Sequence, residues 1–172
     1  MITFSSDTGD IKRADLEITA KMAEDYFGTE TDSEQIPTTV EVRDWVTTHI
    51  PDYLNIIRDK QEIIGYAFML PCSSRLMHKF LAKRINERVM YEGIKKMKKL
   101  KNPEAIYLCA SFVKEKYRGK GLSTTAFVKA INDITHQGKN KPVLFYWAVT
   151  AAGERVVRKV AEMTGLELRL RE

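Results

Sequence analysis

The sequence predicts a mixed α/β fold of the α+β kind, a sheet flanked by helices, in one domain spanning residues 1–172. Three observations carry this. Apolar residues recur at helical spacing in several separate segments. Two strand-like runs, Leu54–Arg58 and Glu62–Leu70, are joined by the short turn Asp59-Lys60-Gln61. Strand and helix patterns then alternate to the end of the chain, which places helices on the faces of a sheet.

The elements follow in order. Ile11–Phe27 reads as a helix, with Leu16, Ala20, Ala23 and Phe27 on one side and Gly28 ending it. "TETDSEQIPTT" is a polar loop. Thr39 caps a second helix through His49, with Val42, Trp45 and Val46 on one face, and Pro51 stops it. The hairpin follows, and Pro71 closes its second strand. Ser74–Leu100 reads as helical, with Met77, Leu81, Ile85 and Val89 every four residues, then Met90, Ile94 and Met97. Gly93, which costs about 1 kcal/mol inside a helix, is the expected point of any split. Ala105–Val113 is a strand, Ser123–His136 a helix, "HQGKNKP" a loop, Val143–Val149 a strand and Gly153–Met163 a helix. Gly165 is the expected C-cap before a last strand, Leu166–Leu170.

Composition excludes several classes. A hydrophobic fraction of 44% with 30% charged residues is ordinary for a soluble globular chain. Cys72 and Cys109 lie far apart, with no CxxC pair, and the three histidines are scattered, so neither a metal site nor a disulfide framework is expected. The start, MITFSSDTGDIKR, lacks a basic region followed by an apolar run, and the longest apolar run, Ile63–Leu70, is too short to span a bilayer. The expectation is a cytoplasmic protein with no membrane partner. The net charge of +5 is unevenly spread: residues 1–50 carry −7 and residues 75–101 carry +8. A basic segment of that density either is a solvated helix face or meets phosphates or an acidic partner.

The stretch "FVKEKYRGKGLSTTAFVKAI" concentrates the chemistry. A strand leads into a basic loop with two glycines, which opens directly onto a helix. Helix starts expose unpaired N–H groups and a partial positive charge, so they suit phosphate. Gly119 and Gly121 let the backbone turn sharply and approach an anion. Lys114, Lys116, Arg118 and Lys120 add charge, and Ser123 can cap the helix or donate its hydroxyl. Two common phosphate loops fail. A P-loop needs a Ser or Thr after Lys120 but finds Gly121, and a GxGxxG starting at Gly119 finds Thr124 in third place.

"SFVKEKYRGKGLS" resembles the acetyl-CoA loop of the GNAT N-acetyltransferase superfamily. The family's Arg/Gln-x-x-Gly-x-Gly/Ala core corresponds to Arg118-Gly119-Lys120-Gly121-Leu122-Ser123, with Val113 as the strand-ending valine and serine in place of the final small residue. The element order is similar over most of the chain, and "VAEMTGLEL" looks like the family's closing helix-Gly segment. The resemblance implies a GNAT-like mixed, largely antiparallel sheet, with residues 74–101 as a basic helical insertion between two central strands. It implies acetyl-CoA, or another acyl-CoA, as co-substrate, and no metal. Val113 would pair its backbone with the pantetheine arm between the splayed strands Ala105–Val113 and Val143–Val149. The backbone amides of Arg118 through Ser123 would hold the pyrophosphate, and Lys114, Lys116 or Lys120 would meet the 3′-phosphate.

The family's catalytic residues do not carry over. The tyrosine that the family often carries four residues before the closing glycine falls on Ala161, and the strand glutamate that some members carry falls on Tyr107. Strand alternation places Ile106, Leu108, Ala110 and Phe112 on one face and Tyr107, Cys109, Ser111 and Val113 on the other. Tyr107 is therefore the first candidate to take the acceptor's proton, and Glu104 the second. Cys109 as a ping-pong nucleophile has no histidine near it in sequence. Tyr146 and Trp147 are expected to line the core or the acceptor cleft.

Two functions fit: an acyl-CoA-dependent N-acyltransferase, or a catalytically silent GNAT-like module holding nucleic acid or an acidic protein on residues 75–101. The intact loop favours the enzyme, with a small-molecule or protein amine as acceptor. The insertion caps the acceptor site, forms a homodimer contact or meets a polyanion. Polyamine, amino acid, aminoglycoside, peptide N-terminus and lysine all remain open as acceptors.

Overall fold

The computed structural model describes residues 1–28, 32–136 and 138–172. Residues 29–31 of the first polar loop and Gln137 of the "HQGKNKP" loop lie outside these. Among the described residues the chain forms one six-stranded sheet in the order β1 (Ile2–Phe4), β2 (Leu54–Asp59), β3 (Glu62–Cys72), β4 (Ala105–Val113), β5 (Val143–Trp147) and β6 (Leu168–Arg171). The pairs β1–β2, β2–β3 and β3–β4 are antiparallel, and β4–β5 and β5–β6 are parallel. Between them run α1 (Ser5–Thr8), α2 (Arg13–Phe27), α3 (Val40–His49), α4 (Ser74–Leu81), α5 (Glu87–Lys95), α6 (Leu122–Ile134) and α7 (Ala151–Thr164).

Several boundaries differ from the sequence expectation, each for a local reason. β1 and α1 were not expected, because three and four residues are too short for any period to register. β3 runs through Pro71 to Cys72. It pairs with β2 only up to Phe68↔Leu54, so Pro71 stands where that side of the strand has no partner and its missing N–H costs no ladder bond. The 74–101 stretch breaks at residues 82–86, not at Gly93. Lys83 takes φ +61, and Asn86 accepts from Val89 N at 2.9 Å to start a new helix. Gly93 sits inside α5 instead, where a Cβ would meet Leu76 Cδ2 at 2.8 Å, so it brings α4 and α5 close together. The helical part ends at Lys95 rather than Leu100.

The sheet is covered on both faces. The larger core includes Met69, Leu70, Phe80, Ile94, Leu108, Phe127, Ile131 and Phe145, all essentially inaccessible. Each such side chain contributes about 1.5–3 kcal/mol on burial. A smaller cluster, Leu16, Leu54, Ile56, Ile63 and Tyr66, holds α2 against β2 and β3. The Arg58–Asp15 ion pair at 2.5 Å ties the same helix to β2. Buried Asn55 on β2 accepts from Ser5 Oγ and donates to the Ala126 carbonyl of α6 at 2.8 Å, so it joins the N-terminal segment to the helix that follows the glycine loop.

Candidate active site

The sheet forks. β4 and β5 pair only at Ala105↔Val143, Ile106↔Leu144 and Tyr107↔Phe145. Beyond Tyr107 they part, β4 staying with β3 as far as Val113 and β5 with β6 as far as Trp147. The gap opens into a cleft of about 1020 Å³ bordered by α2, α3, the start of α6 and the start of α7. On β4 a bulge adds to the opening. Phe68 faces Ala110 and Met69 faces Leu108, which leaves Cys109 without a partner. The bulge corrects the simple alternation expected along this strand. Leu108 and Ala110 point to opposite faces, so the apolar face read from Ile106 to Phe112 is broken in the middle.

The glycine loop forms the far end of the cleft. Gly119 and Gly121 have φ +77 and +70, and a Cβ on either would meet nothing within 4 Å, so these backbones border open space. Helices α3, α4, α5 and α7 start on side-chain caps from Thr39, Ser73, Asn86 and Thr150. Helix α6 starts on left-handed Gly121 with no side-chain cap, and Thr125 N is the first amide bonded back into the turn. The amides of Leu122, Ser123 and Thr124 are thus left to the cleft. Ser123 is inside the first turn and does not cap it.

Arg118, Gly119, Gly121, Leu122, Ser123 and Val113 all line the cleft. Arg118 Nε donates to the Val113 carbonyl at 2.8 Å, and its guanidinium lies over the Tyr26 and Phe112 rings. Lys114 N turns to Ile64 O of β3, so the Val113 amide, one residue back, points to the open side. Lys120 stands outside the cleft lining with its ammonium over the Tyr117 ring, Lys116 lies over the same ring, and Lys114 pairs with Glu62 at 2.6 Å.

Of the two proton-acceptor candidates, the structure brings one to the cleft. Tyr107 sits where the strands part, its ring against Phe80 and Phe145 at 5.1 and 5.0 Å. Glu104 does not line the cleft. Its carboxylate accepts from Ser74 N at 2.9 Å, at the base of the α4–α5 hairpin. The residue that sequence reasoning missed is Glu87, at the start of α5. It lines the cleft, is 8% exposed, and accepts a short hydrogen bond from the Tyr107 hydroxyl. Burial, above all, raises the Glu87 carboxyl from its ordinary range, against the hydrogen bonds from Tyr107 and the Ile36 amide, which lower it. Burial and the Glu87 charge push the Tyr107 hydroxyl well up. A signal for Glu87 existed in the spacing: it falls on the buried face of α5 with Met90, Tyr91 and Ile94, a carboxylate on the apolar side of a basic helix.

Around this pair, the accessible part of Cys109 faces the enclosed cleft, and burial raises its thiol well above the usual range. The Tyr66 hydroxyl is buried and, among the described residues, has no hydrogen-bond partner. Helix α5 also holds the cleft wall. Tyr91 meets Trp45 of α3 edge-on at 5.6 Å, and Arg88 N and Nε reach the Glu34 and Gln35 carbonyls of the loop before α3. Among the described residues no group of three or more His, Cys, Asp or Glu is placed to hold a metal ion, and no helix is long and apolar enough to cross a membrane.

A forked mixed sheet with a glycine loop at a helix start defines a class, and comparison with known families agrees. The model of the acetyltransferase (GNAT) family matches residues 18–163, and the chain belongs to that family. No curated protein matches the chain.

Proposed function

We propose that the chain is an acyl-CoA-dependent N-acyltransferase that moves an acetyl, or other short acyl, group from its CoA thioester to an amine. The observation that carries this is the uncapped start of α6, reached through two left-handed glycines with open space beside them. Free first-turn amides facing a cavity favour a phosphate group. The residues fit the co-substrate along its length. The amides of Leu122, Ser123 and Thr124, with Arg118 and the Gly119–Gly121 backbone, take the pyrophosphate. The Val113 amide and the open edge of β4 take the amide-bearing pantetheine arm as an added strand would. Lys116 and Lys120, whose ammonium groups lie over the Tyr117 ring, meet the 3′-phosphate.

The bound thioester supplies an activated acyl carbonyl. Direct attack by the amine fits better than a Cys109 intermediate, because a thiol with a raised pKa is a poor nucleophile at neutral pH. Ala161 has no hydroxyl to protonate the leaving group. A CoA thiol, with a pKa of about 8.5 like free cysteine, leaves tolerably as the thiolate.

Ser123→Asp tests the loop. An aspartate in the first turn suits the helix dipole, so the free protein keeps or gains stability. The same carboxylate repels a pyrophosphate. Calorimetry is expected to show acetyl-CoA affinity reduced by at least tenfold with an unchanged or higher melting temperature. Unchanged affinity removes the loop from the co-substrate site.

A further inference from the structure

The Glu87–Tyr107 pair stands at the base of the fork, and its chemistry is incomplete. Glu87 is a buried carboxylate that, among the described residues, has no ion-pair partner. A buried carboxylate without a cation is costly in a dry site. Its surroundings lack the obvious neutraliser. The titratable and charged groups acting on it or on its tyrosine partner are Asp32 from the loop before α3, Tyr107 and Cys109 from β4, Tyr146 from β5 and Arg171 from β6. Arg171 is stacked between the Phe80 and Trp147 rings, at 4.4 and 4.7 Å, and makes no ion pair with Glu87.

The rest of the cleft defines what cation would enter. Its acceptor side is lined by Leu16, Ala20, Ala23, Phe27, Ile36 and Val42, and the polar side chains beside them, Thr19, Gln35 and Thr38, are already bonded to the Leu16 carbonyl, Asp32 and Glu24. The second carboxylate there, Asp32, is already engaged by Glu34 N and Gln35 Nε2, both at 2.9 Å. Arg43, Arg118 and Arg155 also border the cleft. With Arg118 given to the co-substrate, Arg43 and Arg155 leave Glu87 as a single anchor for an ammonium, which suits a monoamine better than a polycation, and mostly apolar walls leave the hydroxyls of an aminoglycoside unpaired.

Resting on the N-acyltransferase reading above, we propose that Glu87, carried in by the helical insertion and oriented by Tyr107, anchors and deprotonates the acceptor, and that the acceptor is a primary monoamine on an apolar body. The ammonium gives one proton to the Glu87 carboxylate, directly or through one water. The freed lone pair forms the C–N bond at the acyl carbonyl. The C–S bond breaks with its electron pair going to sulfur. The second proton lost from nitrogen goes to the thiolate, giving the amide and CoA thiol, and Glu87 returns its proton to solvent.

The test uses 2-phenylethylamine, spermidine and an aminoglycoside as acceptors with acetyl-CoA, reading thiol release. Calorimetry of phenylethylamine binding to the protein saturated with CoA thiol is the readout independent of turnover. The wild-type protein is expected to favour phenylethylamine over the other two by at least tenfold in kcat/KM. Glu87→Gln keeps the shape and an acceptor for the Tyr107 hydroxyl. It is expected to lower kcat/KM about 10²–10⁴-fold at pH 7, with the loss shrinking at high pH, and to weaken phenylethylamine binding at least tenfold. Acetyl-CoA affinity should stay within twofold. Tyr107→Phe removes the hydrogen bond that lowers the Glu87 pKa, so the acidic limb of its kcat/KM profile is expected to move to higher pH. A merely structural tyrosine would not move it. Glu87→Gln with wild-type turnover and binding, or a preference for spermidine or the aminoglycoside, overturns the proposal. So does a protein that binds acetyl-CoA but neither binds nor acylates phenylethylamine. A protein that does not bind acetyl-CoA at all overturns the N-acyltransferase reading itself.

Discussion

Gly153, in the first turn of α7, is shaped to Tyr146 of β5: a methyl group on the glycine Cα would overlap the tyrosine hydroxyl and stand 3.1 Å from its Cζ. The tyrosine is at the open end of the fork, so the glycine lets a strand side chain tuck beneath the helix that starts there. Gly153→Ala gains about 1 kcal/mol of helix propensity and loses more through the clash. The expected net cost is about 1–3 kcal/mol, read by urea unfolding. Adding Tyr146→Phe removes the overlapping oxygen and is expected to recover at least half of the loss. A single Gly153→Ala protein more stable than wild type would show that the two elements do not touch this way.

Glu87 gives stability a pH dependence of unusual sign. Burial raises its folded-state pKa above the unfolded value, so between the two values the folded protein holds more protons than the unfolded chain. The stability that this group contributes is fully present below the ordinary glutamate pKa. It is lost as pH rises through the raised one. Glu87→Gln carries no such loss. It is expected to melt above wild type at pH 7, by about 2–4 °C for each kcal/mol of relieved charge, with the gap closing towards pH 4. Melting temperatures of the two proteins across that range check it. A Glu87→Gln protein that melts below wild type at pH 7 contradicts this account.

Asn55 is the polar joint of the fold. Its side chain bonds Ser5 Oγ, Ser6 N, Ser6 Oγ and the Ala126 carbonyl, at 2.8 to 3.1 Å. Asn55→Ala orphans several of these groups at once, and each fully buried one costs about 1–3 kcal/mol. The expected loss is at least about 2 kcal/mol in unfolding free energy. Amide exchange should speed up together in residues 5–8 and in the second turn of α6, because one side chain holds both.

Much of the fold was legible because its signals are local. The 54–70 hairpin, the strand from Ala105 to Val113 and the helices at 13–27, 40–49 and 122–134 lie within two residues of where period and punctuation place them. The glycine loop was legible for the same reason: the shape of Arg118 to Ser123 is set by backbone geometry within one short stretch. Glu87 was not, because its meaning depends on Tyr107, twenty residues away on another element, and on the break at 82–86 that sets which side of α5 is buried. Glu104 misled for the complementary reason. An acid at a strand entrance looks available until the structure shows Ser74 beside it. The bulge at Cys109 left no mark at all, since it is a property of how two strands are paired.

The Glu104–Ser74 contact also bears on how the chain finds its shape. β3 and β4 form the central pairing of the sheet, yet residues 73–104 separate them. Relative to a tight turn, that separation is roughly three doublings of loop length, an entropic penalty of about 2 kcal/mol on bringing the strands together. α4 and α5 pack on each other through Leu76 and Gly93, so the intervening chain is short-circuited once that helical hairpin exists. The carboxylate of Glu104 then fastens the exit of the hairpin to its entrance, directly beside the first residues that β3 and β4 must align, Cys72 and Ala105. The strand register, and with it the fork at Tyr107, is thus pinned at the neck of the α4–α5 hairpin.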